Sequence, residues 1–557
     1  MKLLRLFILL LSVPSFSQVG IGTTNPQAQL DIQASSATAP LPTDGLLIPK
    51  VNVFPATNPT AAQNSLLVYL TTASGTYTPG FYYWDHPSLS WKPLGNDGSG
   101  KNWQLTGNSG TITGTHFIGT TDNVPLHFRA NNVPSGIIQT EHPFTTSFGY
   151  GALASNTTGD FNTAHGYNAL SYNTTGNYNT ANGFQALFRN ATGDYNIAYG
   201  VQALFNNTTG NVNIANGHQA LYNNTTGSYN IAIGGSALYR NTIGSQNTAN
   251  GHNALYYNTT GSYNTANGYQ ALASNTIGGN NTAHGYQALY SNTTGFSNTA
   301  IGRSALHANT TGLSNTAIGY TSLFNNTTGN NNTATGRDAL GYNTTGSSNT
   351  AHGYNALYSN TTGSNNTALG YQAYRTGNFS NSTALGANTV ITGNNQIRLG
   401  NNAVTSIGGF TGWTNVSDKR LKKDIQEKVP GLAFITKLRP ITYHLDMEAI
   451  AELLEIPEEA RDKESEIQKG NMVQSGFIAQ EVALVSKELG YDFSGVDAPK
   501  NSTDFYGLRY AEFVVPLVKA VQEQNALLEL QAIEIALLKT ELEALSKALK
   551  TLTNKEN

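Results

Sequence analysis

The sequence predicts a mainly β fibre: a long parallel β-roll or β-helix of 17-residue repeats, then a small α+β domain and a C-terminal coiled-coil helix. Three observations predict it. A glycine recurs every 17 residues from Gly149 to Gly370 without a slip. Charge is concentrated at the far end, where 18 of the 30 Lys and Arg and 24 of the 33 Asp and Glu lie from Ser417 onward. A seven-residue apolar period runs from Leu517 to Leu552.

The repeat comes first because it fills the middle of the chain (146–390). Each unit reads approximately G-Y-x-A-L-x-x-N-T-T-G-x-x-N-T-A-x, and a contraction by one residue puts the glycine after Gly370 at Gly386. An Asn column runs from Asn162 to Asn366, an Ala column from Ala164 to Ala368, a Leu column from Leu153 to Leu357, and a second Gly column from Gly159 to Gly363. Seventeen residues are too few for two substantial helices, and Gly, Asn and Thr are poor helix formers. The unit suits two short strands and two turns, with the glycines at turn positions that need positive φ. The Ala and Leu columns face inward as a thin core, and the Asn columns form amide ladders from coil to coil. One coil cannot bury its own apolar face, whereas a stack can. The pattern resembles the head repeats of trimeric autotransporter adhesins, which implies the same architecture and a trimer.

Several chemistries of the rod are weighed against plain stacking. The recurrent N-T-T triplets match glycosylation sequons, but their strict register reads as stacking. Ice binding needs a regular Thr array, and only some columns are Thr. Calcium binding is disfavoured because Asp is nearly missing. His165, His218, His252, His284 and His352 read as scattered and as sharing no single column, so no metal ladder is expected. The variable aromatic after the glycine (Tyr167, Phe184, Tyr269, Tyr320) reads as packing between coils or chains rather than as a sugar platform.

The flanks differ in kind. Residues 1–17 read as a secretory signal, with Lys2 and Arg5 before the apolar run Leu6 to Val13 and small Ser15 and Ser17 before Gln18. That run is far shorter than the roughly 20 apolar residues a membrane span needs. Residues 18–145 are Pro-, Thr- and Gly-rich with short apolar runs, which reads as a β-rich attachment module. Its aromatics Tyr82, Tyr83, Trp84, Trp91 and Trp103 form a candidate glycan-binding set. Residues 391–416 form a neck ending in a last β segment. Cysteine is absent, which excludes disulfides and thiolate metal sites. A net charge of −3 argues against a nucleic-acid partner, and only 11% of residues are charged, low for a globular enzyme where about 25% is usual. No cofactor and no metal site are expected.

The stretch VSDKRLKKDI (416–425) marks the change of composition, and LRPITYHL (438–445), GFIAQEV (476–482) and YAEFVVPLVKAVQE (510–523) follow it. These four segments, in this order, resemble the endosialidase-type intramolecular chaperone, the autoproteolytic C-terminal domain of phage tail spikes and fibres. The family pattern of Ser-Asp-x-x-x-Lys falls on Ser417, Asp418 and Lys422. The resemblance implies a Ser-Lys dyad, Ser417 as nucleophile and Lys422 as its base, that cuts once between Val416 and Ser417. Asp418 and Gln480 are supporting candidates, Gln480 for the oxyanion. A serine hydroxyl needs an adjacent base. A free lysine amine has a pKa near 10.4, and lowering it by about three pH units costs on the order of 4 kcal/mol of desolvation. Five residues along a helix rotate a side chain by about 500°, off the starting face. Ser417 therefore has to precede the helix or sit in a turn, with the chain folding back to bring Lys422 to it. The plainer reading makes this stretch only a helix start with Ser417 as its N-cap.

The C-terminal helix (516–553) carries Val521, Leu528, Ile535, Leu542 and Leu549 on one seam. Leu517, Leu538, Leu545 and Leu552 occupy the other, with Gln524 and Gln531 as its polar members. That is an a/d heptad pattern, and the family resemblance makes it three-stranded behind a chaperone domain at 417–515. Taken together, these features predict a secreted or cell-surface homotrimeric fibre whose C-terminal chaperone sets the register of near-identical repeats and then cuts itself off. The alternatives are an uncleaved structural adhesin and a carbohydrate-binding fibre contacting cell-surface glycan.

Overall fold

The computed structural model describes residues 18–94, 111–458, 461–502 and 504–554. The signal segment and Trp103 lie outside the described residues. The chain forms two compact units, residues 1–119 and 120–557.

In the first unit, Val19–Ile21 pairs in parallel with Leu30–Ile32. A four-stranded sheet is built from Lys50–Val51, Leu67–Leu70, Gly80–Asp85 and Ser90–Pro93. The alternation along LVYL and GFYYWD puts every second side chain on one face. Val68, Leu70, Tyr82, Trp84 and Trp91 form its core, with Phe54 stacked on Trp91 at 4.7 Å. This corrects the candidate glycan set. Tyr82, Trp84 and Trp91 are at most 6% exposed; Tyr82 packs on Phe54 and Tyr77, and Trp91 on Phe54 and Trp84, so their rings cannot present a platform to a sugar.

The second unit is a β-solenoid, then a small α/β region and a long C-terminal helix. Sixteen three-residue strands, from Thr146–Phe148 to Ile397–Leu399, pair in parallel with the next coil in register. Each coil contributes one strand, T-A-x, rather than the two expected. The reason lies in the remaining backbone, which is bent by left-handed residues. In one coil Gly183 (φ 139°), Gln185 (55°), Leu187 (51°) and Tyr195 (57°) all have positive φ. The glycine column is thus where the turn demands it: a Cβ on Gly268 would lie 2.5 Å from the Gly285 carbonyl oxygen. The Leu column is left-handed too, at about 1–2 kcal/mol per residue. Leu187 is fully buried, and burying such a side chain is worth roughly 1.5–3 kcal/mol, which offsets the strain. The second glycine column has no positive φ; a Cβ on Gly176 would instead strike the Asn173 side chain and the Gly193 carbonyl.

The Ala and Leu columns form the core, fully buried over most of the stack. Two Asn columns are buried beside them. Asn190 Nδ2 donates to Asn173 Oδ1 at 2.8 Å and to the Gly193 carbonyl at 2.9 Å. Asn247 Nδ2 donates to the Gly261 carbonyl at 2.9 Å, while its Oδ1 accepts from the Asn264 amide at 3.0 Å. The first Thr of N-T-T donates to the next coil, as Thr259 does to the Thr276 carbonyl at 3.0 Å. The sequon asparagines Asn173, Asn207 and Asn258 are fully buried, so the triplets are stacking elements.

The aromatic after the glycine stacks between coils, Tyr167 on Phe184 at 5.4 Å and Tyr269 on Tyr286 at 5.4 Å. A further column, Phe188 to Tyr256, is stacked at 5.0 to 5.2 Å. The histidines correct the sequence reading: they fall in two columns, not scattered. His165, His284 and His352 take the third strand position, and His218 and His252 follow the turn glycine. Members of either column are two or more coils apart, and no group able to hold a metal is found among the described residues.

The N-terminal end of the stack is covered. The hairpin Leu126–Ala130 and Val133–Ile138 pairs antiparallel with the first strand. Where the repeat contracts, Asn378 Oδ1 accepts from the backbone amides of Thr361, Thr362 and Gly363, replacing a missing carbonyl.

Behind the solenoid, Ile441–Tyr443 pairs antiparallel with Gln474–Gly476, and Val496–Asp497 with Gly507–Leu508. Helices Leu432–Ile435, Met447–Leu453, Lys463–Gly470 and Ala479–Glu488 surround them. Phe434, Val482, Phe493 and Phe513 form the core, so three of the four quoted segments border or supply it. The helix Val514–Thr553 runs 40 residues, with Pro516 tolerated in its first turn. Both its seams are open, Leu528 being 55% and Leu545 70% exposed. No described helix is long and apolar enough to cross a membrane.

Candidate functional site

The site begins where the β pattern stops. Asp418 caps a 3-10 turn, Lys419–Leu421, its side chain accepting from the Arg420 amide at 2.9 Å. The cap is therefore Asp418 rather than Ser417, which frees the serine hydroxyl. The guanidinium of Arg420 pairs with both Asp418 oxygens, Nη2 at 2.6 Å. That bond holds the Asp418 carboxyl below its ordinary range and raises the Arg420 guanidinium. Locking Asp418 onto Arg420 leaves Lys422 to the serine.

One turn of 3-10 backbone folds the chain back, and Lys422 Nζ lies 2.8 Å from Ser417 Oγ, hydrogen-bonded to it. Both residues are exposed in the single chain, and Val416 is 82% exposed. Gln480 sits in the first turn of Ala479–Glu488, exposed. Among the described residues it forms no hydrogen bond to Ser417 or Lys422, so the structure brings three of the four polar candidates together.

A second set of contacts joins the two sides of the Val416–Ser417 bond. Thr392 Oγ1 donates to Asp504 at 2.6 Å, Asn501 donates to the Thr392 carbonyl at 2.6 Å, and Arg398 lies over the Phe505 ring at 4.6 Å. Asn402 donates to Glu466 at 3.0 Å, and Lys469 Nζ donates to the Val404 carbonyl at 2.5 Å. Burial lowers the Lys469 amine. Glu466 is itself buried against Arg461, at 2.8 Å. Burial pushes its carboxyl up, and the bonds from Arg461 and Asn402 outweigh that and leave it lowered. Arg461 also grips Glu448, whose carboxyl falls to about 2. Sequence reasoning missed this clasp, because Asn402 and Glu466 are 64 residues apart and neither stands out in its own segment.

The fold class is therefore that of a solenoid fibre with a terminal α/β segment clasped to its last coil. Comparison with known families gives two matches, "Phage tail like trimerisation region" over residues 20–111 and "Chaperone of endosialidase" over residues 417–491. These matches support an endosialidase-type chaperone at the C-terminal end of a tail-fibre-like protein, and the trimerisation region supports a homotrimer. The second match opens on Ser417. No curated protein matches the chain.

Proposed function

We propose that this chain is a secreted trimeric fibre subunit whose C-terminal chaperone assembles the trimer and then cuts the Val416–Ser417 bond. The observation that carries it is the 2.8 Å contact between Lys422 Nζ and Ser417 Oγ, at the residue where the chaperone match begins. Neutral Lys422 takes the Ser417 hydroxyl proton as Oγ attacks the Val416 carbonyl carbon. The Val416–Ser417 C–N bond breaks as that proton returns to the Ser417 nitrogen, leaving an ester. Water then attacks the ester, giving the Val416 carboxylate and the free Ser417 hydroxyl. Desolvation makes a lysine a base, and Lys422 is exposed in one chain, so packing of three chains is the step that arms the dyad. Cleavage thereby waits for assembly. Secretion follows from the N-terminal apolar segment, and the domain limits are those read from the sequence.

Expression of the full chain tests this on a denaturing gel. The 59.4 kDa chain resolves into two fragments, the smaller beginning at Ser417. Ser417→Ala and Lys422→Gln each leave it whole. A wild-type chain that stays whole, or a Ser417→Ala pattern identical to wild type, overturns self-cleavage in favour of an uncleaved adhesin. Glycan binding is the weaker alternative, since three of its five aromatics are core; a glycan array on the cleaved fibre decides it.

A further inference from the structure

The solenoid buries its own core, so three copies can associate only through its outer columns. These columns differ. The one after the turn glycine is interrupted by Gly235, Arg303 and Arg337. The one after the core leucine is interrupted by Ala273, Gly341 and Arg375. The column of Phe161 and Tyr178 is aromatic at first but turns to Ser and Asn beyond Tyr263. The N-T-T columns are uncharged, but their hydroxyls line a turn, and Ile243 and Ile277 are their aliphatic members.

The strand face is continuous. In each T-A-x strand the alanine points inward and the first and third side chains point out. At no coil from Thr146–Phe148 to Ile397–Leu399 is either of these an Asp, Glu, Lys or Arg. The first column is Thr or Ile throughout. The third carries Ile233, Ile301, Ile318 and Leu369, each 39 to 49% exposed. Its histidines are His165, His284 and His352. In-register parallel strands about 4.8 Å apart make this a flat strip about 70 Å long. Exposed β-branched residues on so long an uncharged strip mark an association surface.

We infer that this strand face is where the solenoid meets two further copies of the same chain, in parallel and in register. The inference rests on the homotrimer reading, and the length over which copies would lie side by side assigns the occupant. The trimerisation region precedes the solenoid and an unpartnered heptad helix follows it, so copies gathered there run alongside one another for its whole length. Only the strand face offers every coil an uncharged, partly aliphatic contact. Opposed Thr and Ile columns repeat at each coil, so a slip of one repeat changes few contacts.

The chain lacks cysteine, so single-cysteine variants of the full protein test the face with a short bis-maleimide. Ile301→Cys and Ile318→Cys are expected to accumulate cross-linked dimer on a denaturing gel and to lose labelling by a bulky maleimide. Tyr286→Cys, on the neighbouring column, labels freely and forms no dimer. Leu528→Cys in the heptad seam, placed in the Ser417→Ala chain so that the helix stays attached, reports the trimer itself. Dimer at Leu528 with free labelling at Ile301 and Ile318 overturns the face and leaves the trimer standing. Absence of dimer at Leu528 overturns the homotrimer, and the face with it.

Discussion

In the solenoid the buried side chains of the Ala, Leu and Asn columns have copies one coil away: Ala249, Leu255 and Asn258 return as Ala266, Leu272 and Asn275. In the α/β segment Phe434, Val482, Phe493 and Phe513 occur once each and meet one another. The first region is a sum of neighbour terms in one dimension, the second a single core. The solenoid is nearly uncharged and satisfied by amide ladders, whereas the segment behind it is held to the last coil by an ion pair, Arg398 to Asp504 at 3.7 Å, and by charged hydrogen bonds. Periodicity supplies reach without address, since any coil fits any other. Unique contacts supply an address, and they begin where the candidate dyad begins.

The sharpest test compares two lesions of similar size. Phe434→Ala removes a fully buried ring at about 3–5 kcal/mol, and Leu255→Ala, also fully buried, costs about 2–5 kcal/mol. Hydrogen exchange resolved by peptide should show protection lost together across 432–513 in the first variant. In the second it should be lost only in coils flanking residue 255. A solenoid that loses protection end to end would break the one-dimensional picture. Next in size is Asn247→Ala, which strands the buried Asn264 amide N–H at about 1–3 kcal/mol, while the Gly261 carbonyl keeps its bond from Asn258 Nδ2 at 2.9 Å. The same measurement should place the loss in the two neighbouring coils.

Much of this contrast was legible in the sequence. Strict columns identify the solenoid and its inward faces because a repeat must present the same residue to the same neighbour. The single strand per coil was not legible, because it depends on left-handed backbone at Leu187 and Gln185, residue types that rarely adopt it. The turn that joins Ser417 to Lys422 followed from their spacing once the family resemblance had paired them: neither helix nor strand brings the fifth residue back. The clasp was illegible because Asn402, Glu466 and Asp504 acquire meaning only from contacts distant in sequence. The aromatic set at 82–91 misled, since exposed and core aromatics look alike in a short strand.

Acid should separate the regions. Glu448 and Glu466 have lowered folded-state values, Glu448 about 2, so the unfolded chain binds protons more readily. Their contribution is complete above the ordinary glutamate value near 4.5 and fades as pH falls toward about 2. Between residues 146 and 390 the carboxylates are Asp160, Asp194 and Asp338 alone. Thermal unfolding followed by far-UV circular dichroism should therefore show the α/β transition moving to lower temperature across that window, with the solenoid transition nearly fixed. Equal shifts in both would contradict the division.

The smallest effect is the most discriminating about repetition. Thr259→Val keeps shape and removes one hydroxyl bond to the Thr276 carbonyl, which still accepts the Thr259 amide at 2.9 Å. The expected cost is at the low end of about 0.5–1.5 kcal/mol. Thr436→Val in the α/β segment removes a comparable bond, to the Leu432 carbonyl at 2.6 Å. Unfolding of the α/β segment should register the second change in full, because its core melts as one unit. The solenoid should scarcely register the first, because one weakened coil among many alters only local opening. Changing Thr242, Thr259 and Thr276 together should lower local protection by roughly three times the single effect, if each hydroxyl acts on its own neighbour. A triple variant far worse than that sum would mean the ladder is cooperative along its length.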